Sequence, residues 1–252
     1  ILYIPSLDLF ADATAPNTRL GLITDSIVGK KAFLAGEKTG VIETPSNRPD
    51  DNILSSDITI NLGPDGSVKA RSTNTYKGRT EILFRPLFAN IDVGPVSNVF
   101  VSVLLEYYGM KGSGKILKVS NPFKVAEPFE VELEVNVPKY TTFTKTGSFR
   151  IPLAMNLTDT MAVAELVKPE SRKTALSLGA MRISETYRIN FPVGVEIDPL
   201  PAAVNFKNAI GKFRSEFTLK GNEVTVTREV VIDRDNVPPE EYQQARELLT
   251  KA

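Results

Sequence analysis

Three residues of this 252-residue chain, Gly109, Gly114 and Lys115, fall at the spacing of a G-x-x-x-x-G-K phosphate loop. Such a loop cradles phosphates on backbone amides at the start of a helix, and a Ser or Thr after the lysine meets magnesium. Here Ile116 takes the hydroxyl position. The residues before the loop, PVSNVFVSVLLEYY, have helical spacing, and the following KILKVS is extended. That order inverts strand–loop–helix, so a helix-to-strand connection is expected, with no nucleotide cofactor.

Two acidic groups invite a cation. Asp233, Asp235 and Glu240 cluster near the C-terminus, but DRDNVPPEE lacks the glycine of a calcium loop and carries two prolines. Glu130, Glu132 and Glu134 alternate with Phe129, Val131, Leu133, Val135 and Val137, so they share the wet face of a strand. Both groups are expected to be solvated surface, and no metal is expected. Asn156-Leu157-Thr158 has the form of a glycosylation acceptor, which matters only in a secreted eukaryotic protein. In LDLFADATAPNTRLG, Asp12 is on local grounds a turn residue whose carboxylate accepts backbone N–H groups.

Composition removes much other chemistry. There is no Cys and no His, so neither a Ser-His-Asp nor a Cys-His arrangement can be assembled within these residues. Zinc-thiolate sites and disulfides are excluded with them. Thirty basic and thirty acidic residues cancel, which argues against nucleic acid as a partner. No apolar run reaches the ~18 residues of a membrane span. The opening residues carry no basic segment leading into an apolar core, so they are no signal peptide and are expected to lie inside a longer polypeptide.

The elements that must position these groups are mainly strands. Ile58, Ile60 and Leu62 alternate with polar residues, GPDG follows, and SVKARSTNTYKG is again extended, which predicts a hairpin. Residues 129–137 repeat the alternation, as do Phe149, Ile151 and Leu153, and then Tyr187, Ile189 and Phe191. Phe213, Phe217 and Leu219 run into KGNE, and Val224, Val226, Val230 and Ile232 run out of it, a second hairpin. Residues 12–56 are expected to be loop with short strands, and residues 159–166 a short helical piece. Residues 95–108 predict an internal helix, with a strand as the alternative because of their β-branched content. VPPEEYQQARELLTKA predicts a C-terminal helix with Tyr242, Ala245 and Leu248 or Leu249 as its stripe. Strands in succession without β-α alternation predict a mainly β fold: an antiparallel β-sandwich with one internal helix and a C-terminal helix.

YIPSLDLFADATA resembles the last strand and turn of the catalytic core in bacterial transglutaminase-like proteins, members of the papain-like thiol enzyme superfamily. SSDITINLGPDGSVKARSTNTYKG, ESRKTALSLGAMRISETYRINFPVGVEI and the segment ending in VPPEEY resemble the β-rich region that follows that core. Ala13 stands where the family usually has proline. The resemblance implies that Asp12 is the acid of a Cys-His-Asp triad, with Thr14 beside it. The Cys and His would lie upstream of Ile1, so this chain alone would not catalyse. It implies residues 1–47 as the tail of that core plus a linker, 48–235 as a β-sandwich region with a candidate split near 120, and 236–252 as the closing helix. The partners implied are the upstream core and a protein or peptide substrate, and the implied location is the periplasm or cell envelope. The role implied is structural or substrate-positioning, within an acyltransferase or cysteine peptidase. The alternative is a free-standing β-sandwich binding or adhesion module using an exposed apolar patch, with Tyr107, Tyr108, Tyr140 and Phe143 as contributors. In that module residues 1–15 would be an integral strand, whereas as the tail of a core they would dangle or pack poorly.

Overall fold

The computed structural model describes residues 1–36, 39–89, 94–143, 149–151 and 166–252. Its largest feature is one eight-stranded sheet. The strands are β5 (Ile53–Leu62), β6 (Val68–Lys77), β7 (Ser113–Val119), β8 (Phe129–Val137), β10 (Met181–Asn190), β11 (Val204–Lys207), β12 (Gly211–Lys220) and β13 (Glu223–Ile232). Their order is β11-β12-β13-β10-β5-β6-β8-β7. Small two-stranded sheets are formed by β1 (Leu2–Ile4) with β2 (Leu9–Ala11), by β3 (Lys31–Leu34) with β4 (Gly40–Glu43), and by β9 (Leu176–Ser177) with β14 (Asn236–Val237).

Both predicted hairpins are present, as β5–β6 and β12–β13. Each seeds an antiparallel half of the sheet. The halves join along a parallel seam, where Leu54 lies opposite Ile183 and Ile58 opposite Tyr187. Period-two alternation then gives the sheet one dry face. Leu54, Ile58, Ile60, Phe129, Val131, Leu133, Ile183, Tyr187 and Val226 are all buried there. The opposite face is polar and carries ion pairs such as Arg71–Glu132 at 2.6 Å and Arg188–Asp57 at 2.5 Å. Exposed pairs of this kind contribute little stability.

Helices supply the second layer. These are α1 (Arg79–Ala89), α2 (Pro95–Tyr107) and α3 (Tyr242–Lys251). Phe84 and Phe88 from α1, Val101 and Leu105 from α2, and Tyr242, Ala245, Leu248 and Leu249 from α3 join the core on the dry face. The mainly β expectation and the C-terminal helix with its stripe are therefore as observed. Alternation marks a strand with one buried face but does not say what covers it. The strands join in one mixed sheet, and helices cover the face where a second antiparallel sheet was expected.

The internal helix expected at 95–108 is α2, but a second, α1, precedes it. Its sequence RTEILFRPLFA conceals a helix in two ways. Pro86 removes an interior N–H. Its buried stripe includes Glu81 and Arg85, while Leu83 faces solvent. Apolar periodicity therefore points to the wrong face. Phe149 and Ile151 are irregular rather than a strand, with Phe149 packed between Tyr140 and Phe191. Leu153, residues 159–165 of the expected helical piece and the Asn156–Thr158 tripeptide lie outside the described residues.

The β5–β6 turn depends on Gly66, which has φ +78°. A Cβ there would come within 1.7 Å of the carbonyl oxygen of Thr141, whose N–H donates to the Gly66 carbonyl at 3.0 Å. Gly66→Ala is expected to destabilise the chain by about 1–3 kcal/mol, read as a lower urea midpoint at unchanged slope.

Candidate functional site

Asp12 directly follows β2 and sits at the mouth of a small hairpin outside the eight-stranded sheet. The hairpin has its own cluster of Phe10, Ile23 and Val28, with the Tyr3 ring 4.9 Å from that of Phe10. Asp8, at φ +49°, turns the chain and accepts the Tyr3 hydroxyl at 2.7 Å. The register Leu2↔Ala11 through Ile4↔Leu9 then delivers Asp12 at the end of β2.

Three donors hold its carboxylate. Thr14 donates its backbone N–H at 3.0 Å and its hydroxyl at 2.6 Å to Oδ1. The Thr24 hydroxyl donates to Oδ2 at 3.2 Å. The Thr14 hydroxyl, then its amide, lower the Asp12 pKa below the ordinary carboxylate value because they stabilise the anion. An ionised carboxylate accepts about four hydrogen bonds. Oδ2, with one, has capacity to orient a further N–H group.

The folded pKa lies below the unfolded one, so the stabilisation is present above the unfolded pKa and lost as pH falls through the folded value. In an acid titration followed by carboxyl carbon NMR, the Asp12 signal is expected to move below the range of a free aspartate. The Thr14 amide signal should move with it. An Asp12 midpoint at the free value would show that the threonines do not hold the anion.

Beneath the hairpin, residues 19–28, 45–52 and 77–79 enclose a cleft of about 520 Å3. Arg19, Asn47 and Arg79 of its lining tie it to a polar junction brought together from five parts of the chain. Arg79 pairs with Asp25 at 2.5 Å. Asp235 accepts the Asn47 backbone N–H and side-chain amide at 2.8 Å each, and the Ala180 N–H at 2.9 Å. Arg19 reaches Glu81 at 3.2 Å. Burial raises the Asp25 pKa despite the opposing Arg79 charge, and the Asp235 charge adds to the rise.

Gly109, at φ +71°, ends α2, while Gly114 and Lys115 lie in β7. A Cβ at Gly114 would meet Val101 of α2 and the Glu134 carbonyl at 2.5 Å each, so this glycine lets helix and strand approach. Lys115 pairs with Glu134 at 3.5 Å and Glu132 with Arg71. Glu132 and Glu134 of the row are thus engaged across strands. Asp233 and Glu240 are exposed, but Asp235 is a half-buried structural acceptor, not the solvated residue expected. Among the described residues no group of three or more carboxylates is arranged to hold a metal. Tyr107 is exposed; Tyr108, Tyr140 and Phe143 pack against the core. The polar junction had no sequence signal, because its members are far apart in the chain and each is an ordinary loop polar residue.

A family model described as a domain of unknown function with a solved structure, DUF3858, matches residues 139–252. That stretch runs from just past β8 through α3 and excludes the Asp12 hairpin. No curated protein matches the chain. A solved protein from Parabacteroides distasonis ATCC 8503, provisionally described as a protease, is 19% identical over 41% of this chain, with a TM-score of 0.36. The match spans only 20% of that protein's length.

Proposed function

We propose that this chain is the non-catalytic, β-rich C-terminal part of a transglutaminase-like protein, in which it holds a triad acid and positions substrate. Residues 1–47 would belong to the end of the catalytic core and its linker, and the large sheet would be the supporting region. The observation that carries this reading is the state of Asp12: ionised, fixed by two threonines, and with capacity left on Oδ2. A carboxylate in that state can orient an imidazole and stabilise its charged form. In the reaction an upstream thiolate would attack an amide carbonyl to give a thioester, with the imidazole moving the proton. The hairpin stands outside the eight-stranded sheet, unlike the integral strand the binding-module alternative needs, yet it packs on its own cluster rather than dangling as a bare core tail would.

The test is the coding sequence before the Ile1 codon, followed by an assay on the encoded protein. A Cys and then a His-x-Trp-like segment, with amide hydrolysis or acyl transfer that a thiol-alkylating reagent stops, is the expected result. A reading frame without either residue would sink the proposal.

A further inference from the structure

We propose that the cleft beneath the Asp12 hairpin binds an acidic peptide segment, its carboxylates on a cationic wall and its aliphatic side chains on an apolar one. The volume of about 520 Å3 is in the range of ligand-binding clefts. Arg19, Arg48, Lys77 and Arg79 line it, and Asp51 is the one carboxylate among the lining residues. Asp51 is already paired with Arg48 at 2.6 Å.

The cations keep donors in reserve. A guanidinium carries five N–H groups and an ammonium three. Among the described residues the Arg19 side chain bonds only Glu81, through one nitrogen. Lys77 donates to the Asp50 carbonyl at 3.2 Å. Arg79 pairs with Asp25 through Nη2, while its Nη1 is buried with no partner among the described residues. A second cavity of about 20 Å3 is lined by Arg79, Asn47, Gly179 and Asp235, and is large enough for one water to serve that nitrogen. Arg79 is therefore rigid floor, and Arg19 and Lys77 are the groups best placed to receive a carboxylate.

The other wall decides the ligand class. Leu20, Leu22 and Ile23 line the same cleft and offer nothing to an inorganic anion. A peptide alternating carboxylate and aliphatic side chains uses both walls. The cleft also adjoins the proposed site, because Ile23 lines it and Thr24, the next residue, donates to Asp12. Selecting acidic substrates for the triad rests on the proposed function; the binding itself does not.

The experiment titrates the 252-residue chain with a fluorescently labelled hexapeptide of alternating Glu and Leu, read by anisotropy. Saturable binding is expected, weakening with added salt. It should fall about tenfold in Arg19→Gln, in Lys77→Gln and with the Gln/Leu peptide, as befits loss of a charge-assisted hydrogen bond. Thermal melts of both variants check that they fold; Glu81 keeps Arg85 as a partner when Arg19 is lost. Absence of saturable binding overturns the proposal. So does equal binding of the Gln/Leu peptide, or displacement by inorganic phosphate as effective as by unlabelled peptide. Peptide binding together with a catalytically silent Asp12→Asn in the longer protein would keep the cleft and reject the triad. An impaired Asp12→Asn without peptide binding would do the reverse.

Discussion

Asp12→Asn, made in the longer protein, is expected to lower kcat for amide turnover by about 10⁴-fold, the order seen when a triad carboxylate becomes an amide. The reason is directional. A carboxylate is an acceptor only, so it fixes which imidazole nitrogen carries the proton and stabilises the imidazolium. An amide can turn its NH2 toward the ring and select the wrong tautomer. KM should change little, because Asp12 would touch the base rather than the substrate. Thr24→Val provides the graded control, since it removes one donor to Oδ2 and leaves both from Thr14. A loss of about tenfold is expected there, from roughly one hydrogen bond of orienting energy. The large sheet should stay folded in Asp12→Asn, because the residue lies outside it and its core, and only the small stabilisation from the Asp12 anion is lost. Turnover of Asp12→Asn at the parental rate would falsify the triad role.

Arg85→Ala is expected to be the most damaging single change to stability. Arg85 is 1% exposed and Glu81 3%. Arg85 donates to Glu81 Oε2 through Nε at 2.9 Å and Nη2 at 2.7 Å. Its other donors reach the carbonyls of Pro122 and Lys124 at 3.4 Å and of Glu127 at 2.5 Å, and it lies 5.1 Å over the Phe129 ring. One side chain thus ties α1 to the loop between β7 and β8. Removing it leaves Glu81 Oε2 and three carbonyls without their donor, while Oε1 keeps Arg19 and the Gly78 N–H. Breaking a buried pair in this way costs about 3–5 kcal/mol. For a chain of this size that corresponds to a fall in Tm of roughly 10 °C. Arg85→Met with Glu81→Leu should recover much of the loss, because a buried pair replaced whole by apolar groups is often neutral. A double variant no more stable than Arg85→Ala would show that the carbonyl contacts, not the stranded charge, set the cost.

How far the sequence could be read depends on the range of the interactions involved. The hairpins at 53–77 and 211–232, the β8 alternation and the stripe of α3 are local patterns. Each follows from side-chain period and turn chemistry within about twenty residues, so each was legible. The phosphate-loop spacing was legible too, and the order of helix and strand around it was enough to set it aside. α1 was not, because its buried face is charged and a charged helix face normally signals solvent. Glu81 is buried with Arg85 one turn away and with Arg19 and the Gly78 N–H as its further donors, and three carbonyls of a distant loop complete the shell of Arg85. Asp12 stood out through resemblance; its three hydrogen bonds include one from Thr24, which no local rule requires.

By itself, then, the sequence determined the strands, the closing helix, and the absence of any thiol or imidazole within these residues. Only the tertiary structure decided the parallel seam between β5 and β10, because strand pairing over more than a hundred intervening residues leaves no mark in local alternation. It also decided the cleft. Arg19, Arg48, Lys77 and Arg79 are unremarkable in the chain, and they become one cationic wall because docking the hairpin segment on the start of α1 is satisfied by polar contacts. Charges separated in sequence act together only where packing lowers the distance and the local dielectric between them.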